Sequence, residues 1–271
     1  MTYKLIIKRF LPFLLPLALI PEYSVDYFRY LRYSGILGVK NSDKKLIGKI
    51  IAEYHVIEKG LTMPDTRLGF GRENLISLIN NCREYIHRFG NEDIQLQQAI
   101  SVIIEYRGFH LENRYSLDIN LLERIKRIES EKKETEVYRQ INSTKEEYFQ
   151  NTNSPFYIFS STRRSIRNFS KEEVPLSKIK DAIDVARNTP SSCNRQGTRI
   201  YVFAKQDQIN QILSIQGGNR GFGHLSNKLI IITCQSSRIF CTRDKANFHQ
   251  CRWHICIPDH VEVCLLHAVS Q

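Results

Sequence analysis

Apolar positions recur at spacings of three and four through three stretches of the first half of the chain: KKLIGKIIAEYHVIEKGL (44–61), RENLISLINNCREYIHRF (72–89) and IQLQQAISVIIEYRGFHL (94–111). Such spacing puts apolar side chains on one face of a helix, so the pattern predicts three amphipathic helices that bury those faces. From Arg124 to Gln150 charge is dense and large apolar residues are few, which predicts a solvated helix, followed by a linker around Asn151 to Pro155. Helical spacing returns in PLSKIKDAIDVARN (175–188). The period then shortens. RIYVFA (199–204) and KLIIITC (228–234) are β-branched and apolar enough for buried strands, and a short helix, DQINQILSI, and a glycine-rich turn, QGGNRGFG (216–223), separate them. The expected organisation is a helical region over 1–150, a helix-and-sheet domain over 155–240 and a tail of different texture over 241–271.

A chain of 271 residues can bury one large core or two modest ones. A formal charge of +11 points to an anionic partner, and basicity alone fits nucleotides, nucleic acid, lipid head groups or simple solubility. No zinc-finger, RNP or basic-zipper pattern accompanies the charge, so nucleic acid is not the expected partner. At the N-terminus Lys4, Lys8 and Arg9 precede an apolar run from Phe10 to Ile20 that Pro12 and Pro16 interrupt. It imitates a signal peptide, but no small-x-small cleavage site follows, and the run falls short of the about 20 apolar residues that span a hydrocarbon core. It reads as a docking segment for its own domain or a partner subunit, with a peripheral membrane contact as the alternative. Cys82, Cys193 and Cys234 are too widely separated for a secreted disulfide framework and fit reduced thiols in the cytoplasm.

Two clusters carry candidate chemistry. In RRSIRNFS, Arg163, Arg164, Ser165 and Arg167 suit an anion such as a phosphate, because guanidinium offers forked, permanently charged donors and a hydroxyl adds another. In NTPSSCNRQ, Pro190, Ser191, Ser192, Asn194 and Gln196 offer small hydroxyls and carboxamides suited to the edge of a planar heterocycle. The plain alternatives are a solvated basic face for the first and a polar loop after a helix for the second. His55 and Glu58 lie one helical turn apart, a spacing that metal sites use, but a single pair is an ordinary His to Glu contact and no metal is expected.

The order RRSIRNFS, VPLSKIKDAIDVARNTPSSCNRQ, IYVF, GGNRGFG and LIIIT resembles the nitroreductase family of FMN-dependent oxidoreductases, over roughly residues 160 to 235. The resemblance implies an α+β nitroreductase-like fold, a central mixed sheet flanked by helices and here incomplete, preceded by a mainly helical N-terminal region. It implies that Arg163 and Ser165 hold the FMN phosphate and that Arg167 reaches the pyrimidine edge of the ring, where a positive charge eases hydride acceptance at N5. It implies further that Pro190, Ser191, Ser192, Asn194 and Gln196 line the isoalloxazine held by the other subunit of a homodimer. Asn219, in the glycine turn, is the contact expected from that turn, although a bare turn is an equal reading. Gly197 stands where a proline is common in the family. The implied activity moves a hydride from NAD(P)H to FMN and passes electrons on to a small acceptor, with no side chain acting as a nucleophile. The other reading is a non-catalytic remnant, or an interaction or membrane-peripheral protein. More weakly, EYHVIEKGL followed by MPDTRLGFG resembles N-terminal extensions on some nitroreductase-like proteins from polysaccharide gene clusters.

The tail departs from this texture, holding four of the seven cysteines, four of the eight histidines and the only tryptophan. Cys251, His254, His260, Cys264 and His267 lie at ligand-like intervals, yet no second CxxC or HxxxH partner completes a zinc module. An out-of-frame tail fits better. One codon choice for His249 to Cys264, read one nucleotide later, gives INAGGIFAYLIMLKY, which resembles the family's next element. Trp253 before His254 can then yield only glycine. The expectation is a frameshift near residues 236–242, leaving a half-sheet whose unpaired edges invite aggregation, with a genuine divergent tail that packs as a small cap as the alternative.

Overall fold

The computed structural model describes residues 20, 23–38, 42–134, 141–189, 196, 198–234 and 261–264. The chain forms two compact units, Met1–Asn142 and Ser143–Gln271.

In the first unit residues 23–33 form a helix, α1. Four longer helices follow: α2 (Asp43–Leu61), α3 (Arg72–Phe89), α4 (Ile94–Glu112) and α5 (Ile119–Glu129). Their starts are set by side chains that accept from otherwise orphaned amides: Ser42 from Lys45, Asp93 Oδ1 from Gln95 at 2.8 Å, and Asp118 Oδ1 from Leu121 at 3.1 Å. Gly90, at φ 83°, ends α3. The three predicted helices are all present. Their spacing is used as expected: Leu46, Ile50, Tyr54 and Ile57 of α2 and Leu75, Leu78, Ile79, Cys82 and Tyr85 of α3 enter one core. Helix α4 is apolar around most of its circumference, with Leu96, Ala99, Ile100, Val102, Ile103 and Tyr106 all buried, and it packs against α2, α3 and α5.

One expectation is corrected here. The charged stretch from Arg124 begins inside α5, where Leu121, Ile125 and Ile128 are buried in the same core, so its first turns are packed on one side rather than solvated. Spacing of four and three was present, but the surrounding Glu, Lys and Arg masked it.

The loop between α2 and α3 is tied to α4. Tyr106 donates its hydroxyl to the Phe70 carbonyl at 2.8 Å, and His110 Nε2 accepts from the Gly69 amide at 2.9 Å. Because a backbone amide can only donate, the His110 proton sits on Nδ1, 2.7 Å from the Tyr106 carbonyl. Two glycines permit this approach. A Cβ on Gly60 would run into the Phe70 ring, and one on Gly69, at φ +72°, would meet the Tyr115 hydroxyl.

In the second unit α6 (Lys145–Phe149), α7 (Phe156–Thr162) and α8 (Leu176–Ala186) precede β1 (Thr198–Phe203), α9 (Gln206–Ile215), β2 (Leu229–Cys234) and β3 (Val261–Cys264). Helix α6 lies within the stretch up to Gln150 that reads as a solvated helix and buries none of its residues, whereas the spacing gives no sign of α7. A capping box, in which Thr144 and Glu147 each accept from the other's amide, fixes α6. The sheet has the order β1-β2-β3 and is antiparallel throughout, with Tyr201 opposite Ile231 and Ile231 opposite Val263. Thus the described fold is α+β, as expected, although the mixed sheet is represented by antiparallel strands among the described residues. Ile209 and Leu213 of α9 pack with Phe203 and Leu229, which fixes the helix on the sheet. Strand β3 lies within the stretch that reads as an out-of-frame tail.

Candidate functional site

The arginine cluster follows the end of α7. Arg163 caps that helix, its amide donating to the Ser160 carbonyl at 3.4 Å, and at φ −57°, ψ 129° it turns the chain into an extended run. Arg163, Arg164 and Ser165 are exposed, and Arg167 is half-buried. The three arginines are not equivalent. Arg164 Nη1 donates to the Ser161 carbonyl at 2.7 Å and to the Arg163 carbonyl at 3.0 Å, so this guanidinium serves the carbonyl end of its own helix.

Three contacts hold the segment after the arginines beside the glycine turn. The Phe169 and Phe222 rings meet edge to face with centroids 6.0 Å apart. Asn227 Nδ2 donates to the Glu172 carbonyl at 2.7 Å. Lys228, with only 4% of its side chain exposed, brings its Nζ within 3.5 Å of Glu173, whose own side chain faces solvent. Burying an ammonium is costly unless it is paired, so this contact ties residue 173 to the foot of β2. Two buried oxygens nearby, Ser226 Oγ and Asn227 Oδ1, find no hydrogen-bond partner among the described residues. Sequence reasoning missed this clip. A polar SNK triplet before an apolar strand carries no spacing signal that would reveal its partners at Glu172 and Glu173.

Asn219 is used by the turn itself. Its Nδ2 lies 2.8 Å from the Leu213 carbonyl, 2.6 Å from the Gln216 carbonyl and 2.8 Å from Gln216 Oε1, three acceptors sharing two hydrogens. The carboxamide therefore caps the end of α9. Its backbone carbonyl accepts from Gly223 at 2.8 Å, and a Cβ on Gly223 would stand 2.9 Å from Asn219 Oδ1, which is why glycine is required there.

Of the second cluster, Gln196 is described. It is exposed, sits in the left-handed region at φ 51°, and its carbonyl accepts from Arg199 Nη1 at 2.8 Å. Pro190, Ser191, Ser192 and Asn194 lie outside the described residues. The structure thus brings Phe169 to Glu173, just after the arginines, beside the glycine turn and the residues that follow it. In the first unit, His55 Nδ1 is 3.5 Å from Glu58, which also accepts from Gln98 Nε2 at 3.1 Å. Glu58 is therefore part of the contact between α2 and α4.

The donor set fits an anion. Within five residues, Arg163 and Ser165 are exposed and Arg167 is half-buried, a guanidinium and hydroxyl set suited to a phosphate. Residues 161–219 match the family model described as Nitroreductase family, a stretch that holds Arg163, Arg164, Ser165, Arg167, Gln196 and Asn219. No curated protein and no solved structure matches the chain.

Proposed function

We propose that the second unit is the FMN-binding part of a nitroreductase-type oxidoreductase, which takes a hydride from NAD(P)H and delivers electrons to a small acceptor. The observation that carries this reading is the Arg163 to Arg167 segment, which lies in the stretch that matches the family and is followed directly by the residues, Phe169 to Glu173, that are clipped beside the glycine turn. Arg163 and Ser165 would hold the phosphate, and Arg167 would stand at the pyrimidine edge of the ring. Arg164 orders the end of α7 and thereby aims its neighbours. Pro190, Ser191, Ser192, Asn194 and Gln196 would line the ring, across the interface of a homodimer. Asn219 shapes the turn rather than contacting the ligand with its Nδ2. FMN, when bound, supplies the hydride-accepting chemistry; the chain supplies position and positive charge, and no side chain acts as a nucleophile.

Fluorescence titration of the purified full-length chain with FMN tests this. Arg163→Ala and Arg167→Ala should each weaken binding about tenfold or more, the loss expected for a charge-assisted hydrogen bond, whereas Arg164→Ala should have a smaller effect. NAD(P)H oxidation should fall in parallel. A colourless protein that fails to quench FMN fluorescence, or one whose arginine variants match the wild type, would instead assign the second unit to a non-catalytic role.

A further inference from the structure

Helix α1 stands apart from the rest of the first unit in what it leaves uncovered. Tyr23, Tyr27 and Tyr30 are spaced four and three residues apart, which puts them on one helical face, and each is 56–60% exposed. Phe28 and Tyr33 are also exposed, at 65% and 70%, as are Ile36 and Leu37 just beyond the helix, at 63% and 73%. Arg29 and Arg32 lie on the side opposite the tyrosine face, Arg29 3.8 Å from Asp26 with its side chain still 70% exposed, and Arg32 stacked over the Tyr33 ring at 5.6 Å.

Exposed aromatic rings cost free energy in water, and so many on one short helix call for a partner. The residue types say which. Tyrosine combines an apolar ring with a hydroxyl that needs hydrogen bonds, and arginine needs anions, so the pair suits the boundary between acyl chains and head groups. A dry contact with a second copy would strand the hydroxyls. The charge agrees: the first forty residues carry six Lys or Arg (Lys4, Lys8, Arg9, Arg29, Arg32, Lys40) against Glu22 and Asp26. In the sequence an apolar run from Phe10 to Ile20 comes before the helix. Among the described residues no helix is long and apolar enough to cross a membrane.

We infer that α1 lies along a membrane surface containing anionic lipid, its tyrosine face at the acyl boundary and Arg29 and Arg32 among the head groups. This holds independently of the flavin reading. Co-sedimentation of the full-length chain with vesicles of phosphatidylcholine, with and without phosphatidylglycerol, tests it. Binding should require phosphatidylglycerol and weaken with salt. The triple variant Tyr23→Ser, Tyr27→Ser, Tyr30→Ser should lose binding, and Arg29→Glu with Arg32→Glu should lower affinity for anionic vesicles by roughly tenfold or more. Circular dichroism should show the helical unit intact in both, since neither set of side chains is buried. Absence of wild-type binding to phosphatidylglycerol vesicles overturns the inference, as does a triple variant that binds like the wild type. So does a chain that binds no vesicles but sediments at twice its monomer mass until the tyrosines are replaced, which would assign the face to a second copy.

Discussion

Asn219 and Cys82 show how differently two residues with chemical potential can be employed. Asn219 sits among glycines in a turn where a cofactor contact was expected, yet its Nδ2 is committed to the carbonyls that end α9. Asn219→Ala should therefore destabilise the second unit by about 1–3 kcal/mol, the cost of leaving such acceptors without a donor, and should do so in chemical denaturation without any FMN present. An Asn219→Ala protein whose stability is unchanged but whose FMN affinity drops would restore the contact role. Cys82 is buried in α3, and burial, with the Glu53 carboxylate adding to it, raises its thiol pKa well above the ordinary value. The thiolate is the reactive form, so maleimide at mildly alkaline pH should leave Cys82 unmodified in the native chain and label it in denaturant, as peptide mapping by mass spectrometry would show. Native labelling at Cys82 would mean that the helical core opens readily.

At the scale of elements, the pattern of apolar positions was a sound guide wherever one face met one core. Helices α2, α3, α8 and α9 and strands β1 and β2 all lie where spacing puts them, with ends displaced by a residue or two. Helix α5 was obscured because Ile125 and Ile128 alternate with exposed charged neighbours, Glu123, Arg124, Lys126 and Arg127. Helices α6 and α7 are too short for periodicity to register. The candidate site was legible in part. Residue types at Arg163, Ser165 and Arg167 name the ligand's charge, but the pairing of Phe169 with Phe222 and of Glu172 with Asn227 joins positions 53 and 55 residues apart, which a single sequence does not record. Helix α4 offers the clearest test of the element hierarchy. Ile103 is fully buried, so Ile103→Ala should cost about 2–5 kcal/mol, against about 1 kcal/mol for removing the Asp93 cap by Asp93→Ala, both measured by urea denaturation followed at a helical wavelength. A reversed order would mean that the core relaxes around the lost side chain.

At the scale of the whole molecule, the two units should respond differently to alkali. Burial, with the Tyr115 hydroxyl adding and Arg72 opposing, pushes the Tyr106 pKa up to about 12, and the Tyr54 and Tyr85 pKa values are raised as well. All three tyrosines belong to the helical unit. A raised folded pKa means that the unfolded chain ionises first, so the stability these groups contribute is complete below pH 10 and is lost as pH rises towards about 12. Tyr106 alone should contribute on the order of 2 kcal/mol to that loss. Helical ellipticity should accordingly melt at lower urea concentrations across that window, and Tyr106→Phe should flatten the dependence while lowering stability at neutral pH, because the hydroxyl bond to Phe70 is gone. Enclosure of α4 by α2, α3 and α5 has a further consequence. The amide hydrogens of Val102 and Ile103 cannot reach deuterated solvent by fraying at a helix end or by a local breathing motion. They should exchange only when the whole helical unit opens, making their exchange rates a direct gauge of that unit's global unfolding free energy.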